Sequence, residues 1–257
     1  MKIAMDIGGT FTRFLIKDEL IKIKTINLKL EYILKLIQKY KIKKIGISFA
    51  GQVNNNKILS SPNTTLNNEF FDKLRKHTKI KIENDLKCAG IFYKSKYKKN
   101  FALLFSGTGI GSCYFDKNLI KGVGNLAGEI GHIPYKKAPF KCGCGKDNCL
   151  ELYASGSGIK KWLKYYNMNQ NVKLKSLKGS KIFKEYILAL QKAIAIIITM
   201  LNPKILILGG GVIENNRWIL DELELEKYTF SKSLKMCEIK INREKQVNLK
   251  GALKLWK

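Results

Sequence analysis

The stretch DIGGTFTRFLIK, residues 6–17, decides how the sequence is expected to fold. It follows a short apolar segment that begins at Lys2, and it places two glycines and a threonine before another run rich in aromatic and β-branched residues. Short apolar runs bounded by glycine are typical of β-strands. The chain therefore passes from a strand through a glycine turn into a second strand. A P-loop or a Rossmann unit would pass from its glycine loop into a helix, so the sequence excludes both.

The N-terminal part continues as strand, helix and strand. Apolar residues alternate with lysines over 21–25, which predicts a third strand with one exposed face. Apolar residues recur at helical spacing over 30–40, and residues 43–51 return as a strand closed by a glycine. A helix is expected over 68–77 and a strand over 79–83. This order of strands and helices predicts an α/β domain.

The second half of the chain begins with a copy of the opening arrangement. FALLFS (101–106) predicts a strand, GTGIG (107–111) a glycine turn and SCYF (112–115) another strand. The strongest helical pattern covers 183–201, and KILILGGGV (204–212) is a buried strand that runs into glycines. We therefore expect two α/β domains, with a boundary near residue 100.

The excess of positive charge is interpreted as solvated surface. The chain has 48 Lys and Arg against 20 Asp and Glu, a formal net charge of +28. Clustered basic residues bind nucleic acids, and arginine is favoured for forked contacts to phosphates and bases. Here the lysines are spread along the chain, so no nucleic-acid partner is expected. The only arginines are Arg13, Arg75, Arg217 and Arg243.

Membrane association and secretion are not expected. The longest apolar run, Ala193 to Leu201, is far shorter than the roughly 20 residues needed to cross a bilayer. The start MKIAMDIGG places an acidic residue and two glycines where a secretory signal needs an uninterrupted apolar segment. We therefore expect a cytoplasmic protein.

Both glycine hairpins are candidate phosphate-binding turns. Each offers backbone N–H groups unshielded by side chains, together with a threonine hydroxyl. One hairpin in each half, with a third glycine run, suggests a nucleotide clamped between two domains, and Asp6 is the expected partner of a magnesium ion carried by its phosphates. The predicted cofactor-binding residues are Asp6, Gly8, Gly9, Thr10, Gly107, Thr108, Gly109, Gly209, Gly210 and Gly211.

A family resemblance rests on motifs distributed along the chain. In order, they are DIGGT, the PN of SSPN, ENDLKCA, GTGIG, GEIGH, CGCGKDNCLE and ILGGGV. This series resembles the ROK family (repressors, open reading frames and sugar kinases), within the actin-like ATPase fold. The resemblance implies two RNase H-like α/β domains with a cleft between them that closes over sugar and ATP, commonly as a homodimer. The implied domains are 1–100 and 101–244, with a helix at about 245–257 packing back on the first.

The resemblance also implies an activity and a set of residues. The expected reaction is ATP-dependent phosphorylation of the 6-hydroxyl of a hexose, with Asp85 as the catalytic base. A carboxylate at the start of a helix can also serve simply as its N-cap. Sugar binding is implied for Asn63, Asn84, Asp85, Glu129, His132 and Glu151.

The substrate stays open at this stage. Glucose is the first choice, and N-acetylglucosamine, N-acetylmannosamine, mannose and fructose are compatible with the same residues. Polyphosphate is an alternative donor that the basic charge permits. A sugar-responsive regulator is the competing class, but the family's repressors carry an N-terminal helix-turn-helix, and here the first hairpin begins at once, which favours a kinase.

A metal site is predicted from the cysteine cluster. His132 is followed by C-x-C-x4-C at Cys142, Cys144 and Cys149, which supplies four ligands suited to tetrahedral zinc. A site filled by four protein ligands has no open position, so a structural zinc is expected. If one ring nitrogen of His132 binds the metal, the other is fixed as a donor that can face the sugar.

Overall fold

The computed structural model describes residues 1–61 and 64–256 and separates into two compact units. The first unit comprises Met1–Lys98, Lys121–Ala127 and Glu244–Lys257, and the second comprises Lys99–Ile120 and Gly128–Arg243. The segment 121–127, which the sequence assigned to the second domain, groups with the first unit.

The strands form one sheet in each unit and one separate hairpin. In chain order they are β1 (Lys2–Ile7), β2 (Phe11–Ile16), β3 (Glu19–Lys24), β4 (Lys44–Phe49), β5 (Gln52–Asn54), β6 (Lys57–Ser60), β7 (Lys79–Asn84), β8 (Phe101–Ser106), β9 (Ile110–Phe115), β10 (Ile205–Gly209) and β11 (Glu238–Ile241).

The helices vary from one turn to more than five. They are α1 (Leu30–Tyr40), α2 (Asn68–Arg75), α3 (Asp85–Lys94), α4 (Glu151–Ala154), α5 (Gly156–Tyr165), α6 (Lys181–Leu201), α7 (Gly211–Glu214), α8 (Leu225–Tyr228), α9 (Ser231–Met236) and α10 (Val247–Leu253).

The sheet of the first unit has the strand order β3-β2-β1-β4-β7. β1 is antiparallel to β2 and parallel to β4, which is parallel to β7. Strands buried on both faces read as nearly continuous apolar runs, and Ile3, Met5, Ile45 and Ile47 are fully buried here. Because β1, β4 and β7 run in one direction, their carboxyl ends lie at the same edge of the sheet.

Two glycines allow the C-terminal helix to approach this sheet closely. α10 packs on α3, β1 and β4. A Cβ atom at Gly46 of β4 would lie 1.9 Å from the carbonyl oxygen of Ala252, and one at Gly251 would lie 1.7 Å from that of Cys88 in α3. Only glycine therefore permits this backbone contact on either side of α10.

The sheet of the second unit has the order β11-β10-β8-β9, with β8 antiparallel to β9 and parallel to β10. The long helix α6 packs against α4, α5, α8 and α9. It begins at Lys181, where the side chain of the N-cap Ser180 accepts a hydrogen bond from Phe183 N. It ends at Leu201, and the C-cap Asn202 adopts the left-handed conformation just before Pro203.

The predicted α/β class is confirmed, and the strand-turn-strand opening recurs in both units. The hairpin β5-β6 was not predicted. Its turn residues Asn55 and Asn56 both have positive φ angles, the pattern of a two-residue hairpin turn. Two apolar residues, Val53 and Ile58, flank this Asn-rich turn, and they were the signal that the sequence offered.

Within residues 1–61 and 64–256, no helix combines the length and apolar character needed to cross a bilayer.

Substitution of Gly251 by alanine should destabilise the first unit. The added methyl group would overlap the Cys88 carbonyl, and relief requires a shift of α10 away from α3. We expect a loss of at least about 1–3 kcal/mol in the free energy of unfolding, measured by urea denaturation followed by circular dichroism.

The matched control is Gly211→Ala, because the nearest atom to a Cβ there is Asn215 Nδ2 at 3.9 Å. This variant should stay within about 0.5 kcal/mol of the wild type. Equal stability of the two variants would contradict the packing argument.

Candidate active site

Asp6 lies near the carboxyl end of β1, between residues of both neighbouring strands. It is paired in register with Arg13 of β2 and Ser48 of β4. Ser48 Oγ donates to Asp6 Oδ1 at 2.6 Å, and Arg13 lies 3.3 Å from Oδ2. Burial raises the pKa of the Asp6 carboxyl, while the Ser48 hydrogen bond and the Arg13 charge oppose that rise.

The first glycine hairpin is hydrogen-bonded to Thr25. Thr25 N donates to Thr10 O at 2.9 Å, and its hydroxyl donates to Gly8 O at 2.6 Å. Within the turn, Gly8 N donates to Phe11 O at 3.1 Å. Gly9 and Thr10 at the tip are exposed. The turn is therefore fixed by its carbonyl oxygens and presents its tip to solvent.

The second hairpin carries the start of α5. Gly107 N donates to Gly109 O at 2.8 Å within the turn. Gly156 N donates to Gly107 O at 2.8 Å, and Ser157 N donates to Thr108 O at 3.0 Å. A Cβ at Gly156 would lie 2.9 Å from Gly107 O, so this approach requires glycine. Gly156 and Ser157 were not among the site residues predicted from the sequence.

Packing accounts for two members of the third glycine run. A Cβ at Gly209 would lie 2.5 Å from the ring of Phe105, and one at Gly210 would lie 2.4 Å from Ser106 O. Gly210 also has a φ of +84°, which strongly favours glycine. Gly211, by contrast, has open space on its Cβ side. Contacts within the second unit thus explain Gly209 and Gly210 without a ligand.

Asn84 and Asp85 lie where β7 ends and α3 begins. The N-cap of α3 is Asn84, whose Oδ1 accepts from Lys87 N at 3.1 Å. Its Nδ2 donates to Gly51 O at 3.1 Å. Asp85 follows in the first turn, and its Oδ1 accepts from Leu86 N at 2.8 Å. Asn84 is therefore the N-cap residue, and both side chains accept from N–H groups in the first turn of α3.

Glu129 and His132 lie together in the second unit. A short 3-10 helix, Ile130–His132, brings His132 Nε2 to 3.9 Å from Glu129 Oε2. The other ring nitrogen, Nδ1, lies 3.7 Å from Cys142 Sγ. The imidazole therefore faces the cysteine cluster with one nitrogen and Glu129 with the other.

Glu151 connects the second hairpin to the cysteine cluster. Its Oε2 accepts from Ile110 N at 3.1 Å, and the thiol of Cys142 donates to Oε1 at 3.5 Å. A Cβ at Gly109 would lie 2.5 Å from Oε2, so glycine at this position leaves room for the carboxylate where it lies. The position of Glu151 is therefore set by the glycine turn.

The four predicted metal ligands converge. The donor atoms of His132, Cys142, Cys144 and Cys149 all lie within 4.8 Å of one another. The Sγ atoms of Cys144 and Cys149 are 3.3 Å apart, and a tight turn, in which Cys142 N donates to Lys146 O at 2.7 Å, brings the loop round. Tetrahedral zinc with Zn–S distances of about 2.3 Å separates its sulfurs by about 3.8 Å. One nitrogen and three thiol ligands at this spacing fit zinc.

Ser48 and Arg13, two partners of Asp6, were not predicted from the sequence. Their signal was the pairing of strands, which places one residue of each neighbour beside Asp6 and which a single sequence does not reveal. One predicted sugar-binding residue, Asn63, lies outside the described residues.

The comparisons with known proteins cover nearly the whole chain at the level of the family. The sequence profile of the ROK family matches residues 2–257. The N-acetyl-D-glucosamine kinase of Yersinia enterocolitica is 27% identical over 173 residues, 56% of this chain and 55% of the relative. The xylose repressor of Bacillus spizizenii is 26% identical over 199 residues, 71% of this chain and 52% of the repressor. The chain thus spans about half the length of these curated relatives.

A solved structure extends the comparison to the fold. A ROK family glucokinase from Streptomyces griseus, in complex with glucose and AMPPNP, matches with a TM-score of 0.74 and 21% identity, covering 99% of this chain and 98% of that chain. The fold is that of the actin-like ATPases, as predicted. Because the family profile extends over residues 2–257, this protein belongs to the ROK family.

Proposed function

We propose that this chain is an ATP-dependent sugar kinase that transfers the γ-phosphoryl group to the 6-hydroxyl of a hexose, with glucose as the first candidate. The observation that carries the proposal is the position of Asp85 within a chain-long family match. Asp85 follows β7 at the edge of the sheet where the parallel strands end, the usual place for ligands in α/β sheets.

In this proposal Asp85 is the general base. Its carboxylate accepts the proton of the sugar hydroxyl as that oxygen attacks the γ-phosphorus, and the bond from the phosphorus to the bridging oxygen of ADP breaks. Asn84 supports the role because, as the N-cap of α3, it places Asp85 in the first turn of that helix, directly after β7. Asn84 itself is proposed to hold a neighbouring sugar hydroxyl, as is Asn63.

The nucleotide is proposed to be held by the glycine turns and by Asp6. Gly9, Thr10 and Thr108 are exposed at the tips of the two hairpins, which supports phosphate binding there. Asp6 would hold Mg²⁺, which supplies neutralisation of the phosphate charge. Arg13 and Ser48 would orient the carboxylate for that contact.

Sugar contacts in the second unit are proposed for Glu129, His132 and Glu151. Zinc bound by His132 Nδ1 and the cysteines would fix the ring and keep Nε2 as a donor toward a hydroxyl. The same metal would hold the loop that precedes Glu151. We therefore propose a structural zinc whose loss weakens sugar binding.

The relatives support this class and leave the sugar open. The names of the matched proteins include N-acetyl-D-glucosamine kinase and glucokinase, and another neighbour is described as an inorganic polyphosphate/ATP-glucomannokinase. A sugar-responsive regulator is the second candidate, favoured by the xylose repressor match. From the family resemblance, the same proposal includes a homodimer and a cytoplasmic location.

A coupled ADP-release assay over a sugar panel tests the class and the substrate together. We expect turnover with glucose and ATP, with N-acetylglucosamine, N-acetylmannosamine, mannose and fructose as the competing acceptors. Polyphosphate replaces ATP in a parallel series that measures sugar phosphate directly. Sugar binding without turnover in any series would favour the regulator.

Replacing Asp85 by asparagine should remove most turnover. The amide cannot accept the hydroxyl proton, so kcat should fall by about 10²–10⁴-fold, while the sugar dissociation constant measured by calorimetry stays close to that of the wild type. The control is Asp72→Asn, which changes an exposed carboxylate of α2 in the same unit. Full turnover by Asp85→Asn would refute the assignment of the base.

Substitution of Cys142 by serine should lower the zinc content from about one ion per chain, as measured by elemental analysis. The sugar dissociation constant should rise with the loss of metal, because His132 and Glu151 both lie against this cysteine. The control Cys237→Ser changes a buried cysteine outside the cluster and should keep the metal. Full zinc occupancy in Cys142→Ser would argue against the four-ligand site.

A further inference from the structure

A lysine is buried beside the proposed base. Lys87 lies two residues after Asp85 on α3, and it is only 4% exposed. Its Nζ donates to the backbone oxygen of Asn125 and, at 2.9 Å, to Asn125 Oδ1. Burial of an ammonium group is costly unless it is well hydrogen-bonded. The first unit therefore holds Lys87 through a specific partner.

That partner is a residue in an uncommon backbone conformation. Asn125 has a φ of +61°, and it is 8% exposed. Its Nδ2 donates to Glu83 Oε1 at 2.8 Å and to Val53 O at 2.7 Å. The amide thus uses its oxygen toward Lys87 and its nitrogen toward Glu83 and Val53. Asparagine is one of the few side chains that tolerate this conformation.

The network ends on the residue next to Asp85. Glu83 Oε1, which accepts from Asn125, also accepts from the backbone N–H of Asn84 at 2.8 Å. The backbone N–H of Lys87 donates to Asn84 Oδ1 at 3.1 Å. The Glu83 carboxylate therefore holds the main chain of Asn84, the first turn of α3 holds its side chain, and Asp85 follows directly.

The same network anchors the segment 121–127 on the first unit. The chain leaves the second unit after Ile120, contributes this segment to the first unit and returns at Gly128. Glu129 is the next residue. Asn125 is thus separated by only three residues from a proposed sugar ligand.

We propose that Lys87 and Asn125 are positioning residues for the phosphoryl transfer: through Glu83 they hold Asn84 and Asp85 in place, and they anchor the segment that precedes Glu129. This inference rests on the proposed kinase function. Neither residue is assigned a contact with the sugar or the nucleotide. Both act through the residues that they hydrogen-bond.

Lys87→Met and Asn125→Gly test the inference. Methionine keeps an unbranched side chain without the ammonium group, and glycine keeps the positive φ without the amide. We expect kcat to fall by about 10–100-fold in each variant because the base is displaced, while the KM for ATP stays within about twofold of the wild type. The assays are run well below the melting temperature of each variant, as established by circular dichroism.

The double variant separates one network from two independent effects. Because Lys87 and Asn125 act on the same group, Lys87→Met should cost little further in an Asn125→Gly background. The control Lys94→Met removes another lysine of α3 and should keep the wild-type kcat. If Lys87→Met does not fold, Asn125→Gly still measures the kcat effect by itself. Wild-type kcat in Asn125→Gly, or a parallel loss of ATP affinity, would overturn the inference.

Calorimetry distinguishes failure of this inference from failure of the proposed function. If the wild type binds a sugar but phosphorylates none, the kinase proposal fails. In that case the inference requires that Asn125→Gly bind the sugar at least tenfold more weakly than the wild type. Unchanged affinity in that case overturns it. A wild-type chain that neither binds nor phosphorylates a sugar of the panel overturns both.

Discussion

Parallel pairing of β1, β4 and β7 places Asp6, Ser48 and Glu83 in one row across the sheet. Adjacent strands lie about 4.8 Å apart, so this row extends about 10 Å. At one end Ser48 and Arg13 hold the Asp6 carboxylate, and at the other Glu83 holds the backbone N–H of Asn84. The positions of Asp6, Ser48 and Glu83 relative to one another therefore depend on the register of three parallel strands.

The second unit uses glycines to bring polar groups into contact. Gly109 makes room for the Glu151 carboxylate, and Gly156 lets α5 start against the second hairpin. Glu151 in turn lies against Cys142, whose sulfur also faces His132. The glycine turn, the acidic residue and the cysteine cluster thus form a continuous set of contacts. A substitution in any one of these three parts should shift the side chains of the others.

Much of this arrangement could be predicted from the sequence, because it depends on local patterns. Each glycine turn, each apolar strand and the cluster of Cys142, Cys144 and Cys149 is a pattern contained within a few consecutive residues. The sequence did not predict that Asn84 caps α3, since two adjacent polar residues are both acceptable caps. It also did not predict the hairpin β5-β6, whose strands are only three and four residues long.

By itself, the sequence determined the α/β class, the family and the donor set of the proposed metal site, since all three depend on residue type and short-range spacing. Only the tertiary structure decided which distant residues meet. The pairing of Asp6 with Ser48 joins residues 42 positions apart, and the hydrogen bonds between Lys87 and Asn125 join residues 38 apart. Such contacts follow from strand register and from the path of segment 121–127, and neither leaves a periodic trace in the chain.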